Sequence, residues 1–85
     1  MSTLYVVATP IGNLGDLTQR AINTLNAVDI VACEDTRRTG ILLQHIGASG
    51  KRYVVVNEHT EFDATNELLQ ALGAGKDVAL VSDAG

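Results

Sequence analysis

Four short apolar runs constrain this chain more than any other feature: Leu4 to Ala8 (LYVVA), Ile30 to Cys33 (IVAC), Tyr53 to Val56 (YVVV) and Val78 to Val81 (VALV). Each is nearly continuous and rich in Val or Ile, the pattern expected of strands covered on both faces. The intervals between them repeat apolar residues at helical spacing. Leu17, Ala21, Leu25 and Val28 mark the first helix, Ile41, Leu42 and Ile46 the second, and Leu68, Leu69 and Leu72 the third. The resulting β-α-β-α-β-α-β order predicts an α/β fold, a mostly parallel sheet with flanking helices. Punctuation agrees: Asp16 and Gln19 have the spacing of a capping box, and Gly47, Gly50, Gly73 and Gly75 stand at helix ends.

With 85 residues, 46% of them hydrophobic and 19% charged, the chain has the composition of a soluble globular protein and room for one domain at most. Its last run stops at "SDAG", where a ligand loop would begin, so the expectation is the N-terminal part of a longer α/β domain. It has no apolar run long enough to cross a membrane and no secretory leader, which predicts a cytoplasmic location and no membrane partner. The single cysteine, Cys33, lies inside an apolar run and is expected to be a buried thiol without redox chemistry. A net charge of -4 argues against binding nucleic acid over the whole surface. From Thr36 to Asn57, however, there is no acid, while Arg37, Arg38, Lys51 and Arg52 all occur. That segment is either an ordinary solvated face or a local basic patch able to meet a phosphate backbone.

Ligands of open parallel sheets bind beyond the carboxyl ends of the strands, where loops and helix N-termini converge. Those positions read "TPIGNLGD", "EDTRRTG", "NEHTE" and "SDAG". Gly12 and Gly15 form neither G-x-G-x-x-G nor a P-loop, which leaves "TPIGNLGD" as a plain strand-to-helix turn or a ligand-cradling loop. Glu34, Asp35, Arg37 and Arg38 put two acids and two bases at one strand end. Asp35 suits a helix cap, Glu34 does not, and the planar donor fork of Arg37 suits phosphate. Glu58, His59 and Glu61 lack metal-site spacing, so no metal is expected. His59 is a candidate for proton transfer or for a loop-capping role, and Asp83 for a ligand contact or a turn.

Taken in order, "TPIGNLGDLTQRA", "EDTRRTG" and "LVSDAG" resemble the tetrapyrrole methylase family of S-adenosylmethionine-dependent enzymes, and within it the members that modify ribosomal RNA. The resemblance runs from Leu4 to Gly85. It implies an α/β chain that is the N-terminal part of a tetrapyrrole methylase-like domain, in a two-domain, homodimeric enzyme with S-adenosylmethionine as cofactor. The implied activity is 2'-O-methylation of a cytidine in 16S ribosomal RNA, as free RNA or within the small ribosomal subunit. The implied cofactor residues are Thr9, Pro10, Ile11, Gly12 and Asn13 in the first loop and Ser82, Asp83, Ala84 and Gly85 in the last. Residues 1–85 lack the rest of that domain and all of the second, so the 85-residue chain is expected to be inactive alone.

Methyl transfer to a ribose hydroxyl needs alignment and a proton acceptor. Glu34, Asp35 and His59 are the candidates in that order, with Arg37 and Arg38 as the RNA-binding residues. The third loop reads His59-Thr60-Glu61 where the family usually has His-Asn-Glu. Thr60 is expected to cap the next helix instead. Two other readings stand beside this one. A tetrapyrrole or protein methyltransferase of the same family would normally carry a Gly-rich first loop, which "TPIGNL" is not. A non-catalytic nucleotide- or RNA-binding module would bind ligand without turnover.

Overall fold

In the computed structural model, which describes residues 2–9, 14–48 and 50–82, four parallel strands form one sheet in the order β1-β4-β2-β3. They are β1 (Leu4–Ala8), β2 (Ile30–Cys33), β3 (Arg52–Val55) and β4 (Val78–Ser82). The helices are α1 (Gln19–Ala27), α2 (Thr36–His45) and α3 (Glu61–Gly73), with a 3-10 turn at Leu14–Asp16. Register is continuous across the sheet: Leu4 and Ile30 both pair with Val78, and Ile30 with Arg52.

Period-two alternation sorts the strand residues to two faces. Val31, Cys33, Ala79, Val81 and Val7 join Leu25 of α1 and Leu42 and Leu43 of α2 in one cluster. Ile30, Ala32, Val54 and Val78 join Ala64 and Ala71 of α3 in the other. Two helices therefore cover one face and one covers the other. The expectation of strands buried on both faces holds for β2, whose four residues are all buried, and largely for β4. It fails for both edge strands: for β1, where Leu4 is 48% and Val6 71% exposed, and for β3, where only Val54 is buried. The helical pattern misplaced some residues as well. Ile41 and Leu69 point outward, Leu17 precedes α1, and small alanines do the burying on α3.

Helix ends show how local chemistry sets the boundaries. The cap of α1 is Thr18, whose hydroxyl accepts from the Ala21 N–H at 3.1 Å, and not Asp16, which belongs to the 3-10 turn. Leu17 before the cap and Ile22 in the first turns join the same core cluster, the positions of a hydrophobic staple. Both later helices close through a left-handed glycine. Gly47 has φ +76° and Gly75 φ +84°, and the residue after each donates back across the last turn, Ala48 to Leu43 O and Lys76 to Ala71 O. No glycine ends α1. The Lys51 ammonium donates instead to the carbonyls of Asn26 and Val28, at 2.7 and 2.6 Å.

The amino end of the sheet is tied together. Asp77 Oδ1 accepts from the Thr3 N–H, Asp77 O from the Asp29 and Ile30 N–H groups, and Asp29 Oδ2 from the Asp77 N–H. The Arg52 guanidinium donates to Glu67 on α3. The acid-free segment thus does not form one basic patch. Lys51 and Arg52 lie at the amino end in structural roles, whereas Arg37 and Arg38 start α2 at the carboxyl end.

Candidate functional site

At the carboxyl edge, β1 and β4 end joined: the Thr9 N–H donates to Ser82 O at 2.9 Å and the Thr9 hydroxyl to the same oxygen at 3.1 Å. Thr9 is 6% exposed, so its side chain fastens the first loop to the last. The other residues expected in these loops, Pro10, Ile11, Gly12, Asn13, Asp83, Ala84 and Gly85, lie outside the described residues.

Beyond β2, the two acids part company. Asp35 is the N-cap of α2, its Oδ1 accepting from the Arg37 and Arg38 N–H groups at 2.9 and 3.2 Å. A side-chain oxygen there satisfies donors that the helix leaves unpaired. Glu34 is exposed and borders a depression of about 200 Å³, lined also by Val56, Leu80, Val81 and Ser82. Arg37 and Arg38 are exposed in the first turn of α2.

After β3, the chain turns through Asn57, whose Oδ1 accepts from the N–H groups of His59 and Thr60 at 2.8 and 3.0 Å. The Thr60 hydroxyl donates to Val55 O at 2.8 Å and accepts from the Asn57 N–H at 3.1 Å. Thr60 occupies the N-cap position of α3, yet its side chain makes no capping bond. It was expected to cap. The hydroxyl is committed to closing the turn, an arrangement typical of Asn and Thr near their own backbone. The turn holds Glu58 and His59 outward, their side chains 86% and 84% exposed and 3.6 Å apart.

The fold therefore brings Thr9 to Ser82 and Glu34 to Ser82, and leaves His59 outside the lining of the depression that Glu34 borders. Sequence reading missed Val56 and Leu80, which supply the apolar lining, and Asn57, which shapes the third loop. The last was findable, since Asn at a strand end with Thr three residues on is a turn signature. Val56 and Leu80 carried no signal beyond strand apolarity. A larger depression of about 510 Å³ runs along the free edge of β1 beside α1, where its lining includes Tyr5 and Arg20. Among the described residues no three His, Cys, Asp or Glu side chains meet in a metal-binding arrangement, and no helix is long and apolar enough to cross a membrane.

Comparison with known proteins matches residues 3–85 to the family described as Tetrapyrrole (Corrin/Porphyrin) Methylases. Over all 85 residues the chain is 54% identical to the ribosomal RNA small subunit methyltransferase I of Synechocystis, covering 30% of that protein. Proteins of the same name are 52% identical in Escherichia coli O157:H7 and 49% in Haemophilus influenzae. Each is matched over 82 residues, 96% of this chain and 28% and 29% of the relative. The chain thus spans under a third of the length of these curated relatives.

Proposed function

The chain belongs to the tetrapyrrole (corrin/porphyrin) methylase family, and on that premise we propose that it forms the N-terminal part of an S-adenosylmethionine-dependent RNA methyltransferase. The proposed reaction is 2'-O-methylation of a cytidine in 16S ribosomal RNA, carried out by a longer, homodimeric protein. One observation carries this reading: about half of all residues, over the full chain, are identical to those of proteins named ribosomal RNA small subunit methyltransferase I.

The residues at the carboxyl edge fit the cofactor's donor and acceptor groups. Glu34 offers a carboxylate beside an aliphatic lining, and the Thr9–Ser82 joint holds the ends of both proposed cofactor loops together. S-adenosylmethionine supplies a methyl group on a sulfonium centre. The protein's tasks are then to align the ribose hydroxyl and accept its proton. Glu34 is the foremost acceptor, being exposed at the edge, and His59 on its prearranged turn is a second. Asp35, with an oxygen already engaged by two N–H groups, serves mainly to fix the start of α2. Arg37 and Arg38 face solvent there and would hold phosphate, which positions RNA without reading its bases.

Incubating the full-length protein with labelled S-adenosylmethionine and small ribosomal subunits lacking the modification tests the reading. Mass spectrometry of RNA fragments is expected to find label on a cytidine 2'-oxygen. Label on a corrin or porphyrin instead would support the activity in the family's description. Cofactor binding without transfer to any substrate would leave a binding module.

A further inference from the structure

We propose that the depression bordered by Glu34 is a ribose subsite, in which the Glu34 carboxylate accepts hydrogen bonds from the two neighbouring hydroxyls of a ribonucleoside. This rests on the functional reading above for the class of ligand, but its geometry stands apart from turnover. Leu80 and Val56 belong to the α3 side of the sheet, and Glu34, two residues past Ala32, falls on that side too. Ser82 follows Leu80 in the same alternation. One carboxylate and one serine therefore meet two branched aliphatic side chains, Val56 and Leu80, at the mouth of the sheet, with Val81 between Leu80 and Ser82 completing the lining.

Size decides first. About 200 Å³ is below the roughly 300 Å³ at which pockets for whole drug-sized ligands begin, so the depression takes one ring of a ligand and not all of it. Chemistry decides next. A phosphate would meet an unneutralised carboxylate, and a metal ion would find one ligand where it needs several. An ammonium group carries three donors, and burying it among aliphatic walls with a single acceptor leaves the others unsatisfied. A ribose matches the lining. Its C–H surface packs on Val and Leu, and its adjacent hydroxyls present two donors to an acceptor with two oxygens. Neither oxygen of Glu34 is engaged by a hydrogen bond or ion pair among the described residues.

Two riboses belong to the proposed reaction, that of the cofactor and that of the target nucleotide. Titration of the 15N-labelled chain with adenosine, cytidine, 2'-deoxyadenosine and methionine, followed by amide shifts, distinguishes them. Saturable shifts at Glu34, Val56, Leu80, Val81 and Ser82 are expected with a ribonucleoside, at least five-fold weaker with 2'-deoxyadenosine and absent with methionine. Preference for adenosine assigns the subsite to the cofactor, and preference for cytidine to the target. Glu34→Gln should keep the folded spectrum and weaken binding about ten-fold, while Asp63→Asn, which removes a charge from the first turn of α3, should not. Equal binding of the deoxynucleoside, unchanged binding by Glu34→Gln, shifts at these amides with methionine, or no shift there with either ribonucleoside would each overturn the proposal. Failure of methyl transfer by the full-length protein would not touch this result, and loss of ribose binding would not touch that one.

Discussion

Asp35 carries two claims at once, catalysis by its place in "EDTRR" and capping by its geometry, and the claims separate by experiment. Removing its oxygen in Asp35→Ala should cost about 1 kcal/mol in urea unfolding, whereas Asp35→Asn, which still accepts, should cost a few tenths. A collapse of turnover in the full-length Asp35→Asn protein at unchanged stability would restore it as a base. Lys51 and Arg52 make a similar pair. The Lys51 ammonium bonds two carbonyls at the end of α1, so Lys51→Met should lose about 1–2 kcal/mol. Arg52 forms an exposed ion pair with side chains 62% and 43% exposed, so Arg52→Ala should stay within about 0.5 kcal/mol. In sequence both fell in the acid-free segment, which read as either a solvated face or a basic patch. Filter-binding to RNA should show Arg37→Ala lowering affinity and reducing the salt slope by about 1, with Arg52→Ala changing neither.

Among the strands, β1 is the more exposed of the two at the sheet edges. It contains no charge and no proline, it stands at the sheet edge, and Leu4, Tyr5 and Val6 are 48%, 39% and 71% exposed. Such an edge is a template for further pairing. Val6→Lys should therefore suppress self-association in light scattering at a stability change within about 0.5 kcal/mol; a large loss of stability would mean that Val6 packs on something in the isolated chain. Helix ends are better guarded. At Gly47, φ +76° with open space around the missing Cβ makes conformation and not crowding the constraint, so Gly47→Ala should cost about 1 kcal/mol in denaturant unfolding.

At the scale of the molecule, a sheet of four strands with a single helix on one face leaves little reserve. By the usual 0.05–0.15 kcal/mol per residue, 85 residues give a total stability of about 4–13 kcal/mol. Leu25 on α1 is fully buried against the sheet, and Leu25→Ala should cost about 2–5 kcal/mol, read as a clearly lower midpoint in a circular dichroism melt. The two ends of the sheet differ in kind. Polar groups at the amino end are consumed by one another through Asp29, Asp77 and Thr3, and at the carboxyl end Glu34, Arg37 and His59 stand exposed.

Strand positions and their alternation with helices were legible in the sequence, because a β-branched run a few residues long has few other ways to hide its side chains. So was the gathering of the polar loops at one edge, which parallel order alone requires. Strand order was not, since nothing in LYVVA or YVVV distinguishes an edge from a centre, and the reading of β1 and β3 as doubly covered failed for that reason. Chain proximity likewise misled at Lys51 and Arg52, near Arg37 in sequence and at the other end of the sheet in space. The residues determined which elements form; the packing of β4 between β1 and β2 decided which strands are neighbours, and so which strand-end side chains stand close together.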